Sequence, residues 1–111
     1  MTWRVVIRPE VEQDVAEAAA WYEARQLGLG AKFVEEVIAV WDALAENPLL
    51  RCRRHPTKHI RWRYPDRFPY RVIYEVLDAE ETVVVAAVLH AARHDRHWLR
   101  RIGEFGEEAG D

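Results

Sequence analysis

The segment Thr82 to Leu89 constrains the fold of this chain more than any other. Every residue in it is β-branched or small and apolar, or leucine, and a run with no charged position cannot keep one face wet. It is expected to be a strand covered on both sides, and so to lie inside a sheet and not at its edge. Its apolar part, Val83 to Leu89, is seven residues long, far short of the roughly 20 that cross a bilayer. No apolar signal region opens the chain, so the expectation is a cytoplasmic protein without a membrane partner.

The other elements follow from changes of period. Trp3, Val5 and Ile7 alternate with Arg4, Val6 and Arg8, the pattern of a short strand. Pro9 stops it and suits a first helical turn, where Glu10, Glu12 and Asp14 complement the helix dipole. A helix over about 9–27 is predicted, with Val11, Val15, Ala18, Ala19 and Tyr22 in one stripe that extends to Leu27, and with Gly28 as its C-cap. A second helix over about 31–46 carries Phe33, Val34, Val37, Ile38, Trp41, Leu44 and Ala45 on a wide apolar face and ends at Asn47-Pro48. The period then returns to two. Ile60, Trp62 and Tyr64 alternate with His59, Arg61 and Arg63, a turn follows at Pro65-Asp66, and a strand over about 68–77 leads through a second turn into the central strand.

The expected fold is α+β: an N-terminal strand, a two-helix hairpin, a three-stranded antiparallel meander and a short C-terminal helix. It forms one domain over 1–103, with a frayed acidic tail over 104–111. The hairpin covers one sheet face, and the other is expected to stay open with Arg61, Arg63 and Arg71 sharing it. Pairing straight through the Pro65-Asp66 turn sets Arg71 opposite Ile60; one bulged residue sets it opposite Arg61, and both registers stay open.

Charge is distributed unevenly. Residues 1–50 sum to −5, residues 51–71 to +7 and residues 72–111 to −5, within a net charge of −3. Seven of the eight cations in the middle segment are arginine, whose planar fork matches phosphate and carboxylate, so a polyanionic partner is expected, either nucleic acid or an acidic peptide. Cys52 has no intrachain partner, which excludes a disulfide framework. Gly28-Leu29-Gly30 is not a dinucleotide loop, because Phe33 stands where a third glycine belongs. His90, His94 and His97 have metal-compatible spacing, but no carboxylate or second cysteine completes a shell, and Arg93 and Arg96 repel a cation. No metal and no cofactor are expected.

Several motifs in order carry a family resemblance. Trp21-Tyr22-Glu23, Gly30 to Phe33, Asn47-Pro48, Arg67-Phe68-Pro69-Tyr70-Arg71-Val72-Ile73-Tyr74 and His90-x-x-Arg93 with Trp98 together resemble the RelE/ParE superfamily of toxins from type II toxin–antitoxin systems. The resemblance implies a growth-inhibiting, plasmid-stabilising toxin held in a hetero-oligomer by a cognate antitoxin. One branch of the family is an mRNA interferase, an endoribonuclease working with the ribosome; another inhibits DNA gyrase without cutting RNA. On the nuclease branch the catalytic roles fall on Arg71, Arg93 and His97, and the RNA- or partner-binding roles on Lys58, Arg61, Arg63 and Trp98. Ala92 stands where relatives commonly carry an arginine, and His97 where many have tyrosine. The nuclease is the expected activity, gyrase inhibition the first alternative and a plain nucleic-acid-binding module the second.

Overall fold

The computed structural model describes residues 2–93, 96 and 98–101. Strand β1 (Arg4–Ile7) leads into helix α1 (Pro9–Arg25), and helix α2 (Leu29–Glu46) returns antiparallel to it. Four more strands follow: β2 (Arg53–Arg54), β3 (Ile60–Arg63), β4 (Tyr70–Leu77) and β5 (Thr82–His90). They form one sheet in the order β1-β5-β4-β3-β2, parallel between β1 and β5 and antiparallel elsewhere. The Thr82 to Leu89 run therefore lies inside the sheet, and Val83, Val85 and Ala87 are fully buried.

The helices pack on one face. Val11, Ala18, Phe33, Val37, Val40 and Leu44 meet Val72, Tyr74, Val83, Val85 and Val88 from the sheet. Pro9 sits in the first turn of α1 as expected, and Glu10 and Glu12 follow it. The Glu10 carboxyl is held below its ordinary pKa, first by a backbone N–H and then by Arg8.

The joint between the helices differs from expectation. α1 ends at Arg25, and Gly28 at φ 87° is the N-cap of α2, not the C-cap of α1. Leu27 leaves the stripe and is 92% exposed. The Glu23 carboxylate accepts from Gly28 N (2.9 Å) and Gly30 N (3.0 Å), serving the orphan donors of the α2 start from the neighbouring helix. A Cβ on Gly30 would lie 2.5 Å from the Ala19 carbonyl oxygen, so the close helix approach requires glycine there.

Three further expectations are corrected. The expected basic connector contributes β2, a two-residue edge strand that pairs with Trp62 and Arg61. The turn between β3 and β4 spans residues 64–69, and Ile60 pairs with Glu75, Arg61 with Tyr74, Trp62 with Ile73 and Arg63 with Val72, so neither anticipated register forms. The longer loop exists because Phe68 is buried against Tyr22 and Phe33, at ring separations of 4.8 and 5.1 Å, which pulls the chain over the helix side before β4 begins.

The second sheet face is not open. Residues 98–101 are helical, and Trp98, fully buried, packs with Ile60, Ile73, Ala86, Ala87 and Leu89, flanked by Trp62 and Leu99. This face carries too much apolar surface to be left in water, and the short helix covers it. The tail over 104–111 lies outside the described residues.

Candidate functional site

Alternation along the strands sorts the basic residues. Arg61 and Arg63 oppose Tyr74 and Val72, both in the helix-side core, so they stand on the helix side of the sheet. Arg61 Nη1 donates to Cys52 Sγ at 3.5 Å, and Arg63 borders a shallow depression beside Glu36 and Asp66. Tyr74, between them, donates its hydroxyl to the Pro48 carbonyl at 2.6 Å, and burial is the main cause of its raised pKa. Lys58 is in the exposed His55–His59 turn, where its N–H donates to His55 Nδ1 at 3.2 Å. Arg67 is tied to α2 by two bonds to Glu36, each 3.0 Å.

Arg71 takes the opposite face, with Trp62 and Ile73, so the three arginines expected to share one surface do not. It is 6% exposed. Nη2 donates to the Arg93 carbonyl at 3.1 Å, and the guanidinium carbon stands 5.7 Å from the Trp62 ring centre. The structure thus brings together Arg71, the Arg93 backbone, Trp62 and Trp98, and leaves Lys58, Arg61 and Arg63 elsewhere. His97 and His94 lie outside the described residues. His90 ends β5, and its Nδ1 accepts from Ala92 N at 3.0 Å. Among the described residues no group of three or more His, Cys, Asp and Glu is placed to hold a metal.

Sequence reasoning missed a second feature, at the β5 edge. β1 stops at Ile7, opposite Val85, because Pro9 turns the chain into α1. β5 continues to His90, so among the described residues half of that edge has no strand beside it. Ala86, left unpaired by a register shift against β4, turns its carbonyl to Arg101 Nη1 at 3.1 Å. Val88 N donates to Asp14 Oδ2 at 3.0 Å. Asp14 and Arg101 join each other at 2.7 and 3.0 Å, and this contact with Asp14 raises the Arg101 pKa. The signal was present in the sequence: Asp14 lies between Val11 and Ala18 on the buried stripe of α1, where a carboxylate needs a partner.

Beyond this ion pair a groove of about 400 Å3 opens between α1 and the end of β5, bordered by Glu17, Trp21, Tyr70, His90 and Arg93. A neighbouring depression of about 290 Å3 shares Asp14, Glu17 and Arg93 with it. Trp21 is half exposed, with Arg25 stacked on its ring at 3.6 Å. Burial raises the Tyr70 pKa, while the Arg93 charge acts against that rise.

A profile of the family described as "ParE toxin of type II toxin-antitoxin system, parDE" matches residues 5–95, most of the chain. The chain belongs to the ParE toxin family. It is therefore a toxin of the type II toxin–antitoxin class within the RelE/ParE superfamily. This ParE-family toxin is also similar to a chain in the crystal structure of the toxin–antitoxin complex RelBE2 from Mycobacterium tuberculosis, with 20% identity, a TM-score of 0.58, and coverage of 81% of this chain and 99% of that one. That likeness confirms the fold. No curated protein gives a significant match. Among the described residues of the toxin no helix is long and apolar enough to cross a membrane.

Proposed function

We propose that this toxin arrests growth in the cytoplasm by binding DNA gyrase, without cleaving RNA, until a cognate antitoxin silences it. The observation that carries the reading is the position of Arg71. Metal-free RNA cleavage needs a cation against the reacting phosphate and groups that move protons at the attacking and leaving oxygens. Arg71 is 6% exposed and is hydrogen-bonded to the Arg93 carbonyl, which suits a strut that ties β4 to the chain leaving β5. Arg61 and Arg63 stand on the opposite face, so the cations do not converge on one phosphate.

The match to a profile named for parDE supports the same reading. Ribosome-dependent mRNA cleavage, the activity expected from sequence, would require Arg71 to leave its buried position before it met substrate. A plain nucleic-acid module would need a continuous basic track, whereas the +7 segment is divided between a sheet edge, the helix side and the Glu36 contact.

Gyrase, ATP and relaxed plasmid provide the test. Purified toxin is expected to block supercoiling, and cognate antitoxin to restore it. Undiminished supercoiling at toxin concentrations that arrest growth would overturn the proposal.

A further inference from the structure

Residues 51–63 hold six cations and no carboxylate, and four of the six lie on or beside β2. β2 is the last strand of the sheet, so it forms a rim. Arg53 pairs with Trp62 and Arg54 with Arg61. Their side chains therefore leave the rim on opposite flanks, Arg53 on the Trp62 face and Arg54 on the helix side. Arg51 precedes them at φ 51°, and Lys58 lies in the turn between β2 and β3. All four are exposed, and among the described residues none of their side chains makes an ion pair or a hydrogen bond.

The pairing of Arg54 with Arg61 works against the sheet, because like charges directly opposite across two strands repel. Asp78 borders the same small depression as these two arginines but forms no ion pair with either. A charge on an edge strand discourages pairing with another chain, yet Arg53 alone would serve that end. An anion from outside the chain accounts for arginine at position 54, where stability does not. The shape of the rim narrows the choice of anion. A two-stranded ribbon is what the major groove of duplex DNA admits, between two rows of phosphates, and β2 with β3 presents cations on both flanks. An acidic peptide adding to β2 would find only two residues of edge, with Arg51 turned out of the extended conformation before them.

We propose that the rim formed by Arg51, Arg53, Arg54 and Lys58 contacts phosphates of the duplex that gyrase holds while the toxin is bound to the enzyme. The proposal rests on the gyrase reading for its setting. Contacts of this kind position the toxin without reading sequence. Four cations hold naked DNA only weakly at physiological salt. The rim therefore adds affinity where an enzyme already presents the duplex, and does not act as a nucleic-acid module by itself.

The test measures binding of labelled full-length toxin, by fluorescence anisotropy, to gyrase alone and to gyrase loaded with a linear duplex. Loading should tighten binding about tenfold or more, and the slope of log affinity against log salt should steepen by about 3 for three phosphates contacted. The triple variant Arg53→Glu, Arg54→Glu, Lys58→Glu should lose this gain and keep the parent's affinity for gyrase alone. Arg54→Glu by itself should melt at or above the parent, because repulsion from Arg61 becomes attraction; a melt well below the parent would show that Arg54 serves the fold and would overturn the proposal. Equal parental affinity for loaded and unloaded gyrase would also overturn it, as would a gain from loading that survives in the triple variant. A triple variant weakened equally on both forms would assign the rim to an acidic surface of the enzyme instead. Naked duplex bound as tightly as loaded gyrase would overturn the requirement for the enzyme. A parent toxin that binds neither form of gyrase would defeat the gyrase reading and this proposal with it, a result distinct from the others because the parent itself fails.

Discussion

Arg101 and Asp14 grip each other with two parallel hydrogen bonds, at 2.7 and 3.0 Å, across 87 positions of sequence. The pair also serves Ala86 O and Val88 N, the edge groups that β1 is too short to reach. Three elements thus meet at one fork: α1, β5 and the C-terminal helix. Removing one partner of a largely buried pair leaves the other uncompensated, at a cost of about 3 kcal/mol. Arg101→Ala should lower Tm by roughly 10–20 °C, and Arg101→Lys, which keeps charge but loses the fork, should fall between it and the parent. An unchanged melt in Arg101→Ala would mean that the clamp holds nothing.

The helical hairpin depends on contact at Gly30. A methyl group there meets the Ala19 carbonyl oxygen at 2.5 Å, so the helices must separate, and Gly30→Ala should destabilise by about 1–3 kcal/mol. Glu23→Ala should cost about 1 kcal/mol by leaving two α2 donors to water. Chemical denaturation of both variants checks the ranking; Gly30→Ala at parental stability would contradict the close approach.

Glu75 pairs with Ile60 across the strands, and partial burial raises its pKa above the usual carboxylate value. The folded state then keeps a proton that the unfolded chain has lost, so stability falls as pH rises from the unfolded pKa through the folded one. Glu75→Gln removes that decline. The variant should melt close to the parent near pH 4 and above it at pH 7, and melting curves across that range read the sign directly. A variant less stable than the parent at pH 7 would reverse the assignment.

Val85 is fully buried at the point where β1, β4 and β5 meet. An aspartate there has no partner and costs several kcal/mol, against a total stability of about 5–15. Val85→Asp should be unfolded at 37 °C by circular dichroism. A folded variant would place the central strand elsewhere.

The run from Thr82 to Leu89 was legible because burial on both faces removes every charged residue from a strand, and no tertiary detail can hide that. The helices were legible for a similar reason: Phe33, Val37 and Leu44 repeat at helical spacing, although Val40, not expected on that face, is buried and Ile38, expected there, is exposed. The site was less legible. Whether Arg71 shares a face with Arg61 is decided by loop length parity between β3 and β4, and that length is set by Phe68 seeking Tyr22 and Phe33, a contact between distant segments. Covering of the second face depended on Trp98, which the resemblance assigns to RNA or partner binding and which the structure buries against Ile60, Ile73 and Leu89. Asp14 served equally well as a dipole-complementing acid near a helix start until the position of Arg101 was known.

The most direct measurement is the integrity of mRNA in a translating extract given the parent toxin at concentrations that arrest growth, with 5′ ends mapped by primer extension. Arg71 is buried and hydrogen-bonded to the Arg93 carbonyl, so the account predicts full-length message with no new ends, and the same result for Arg71→Ala. New 5′ ends that depend on ribosomes and on toxin, and that disappear with Arg71→Ala, would contradict it and restore the nuclease.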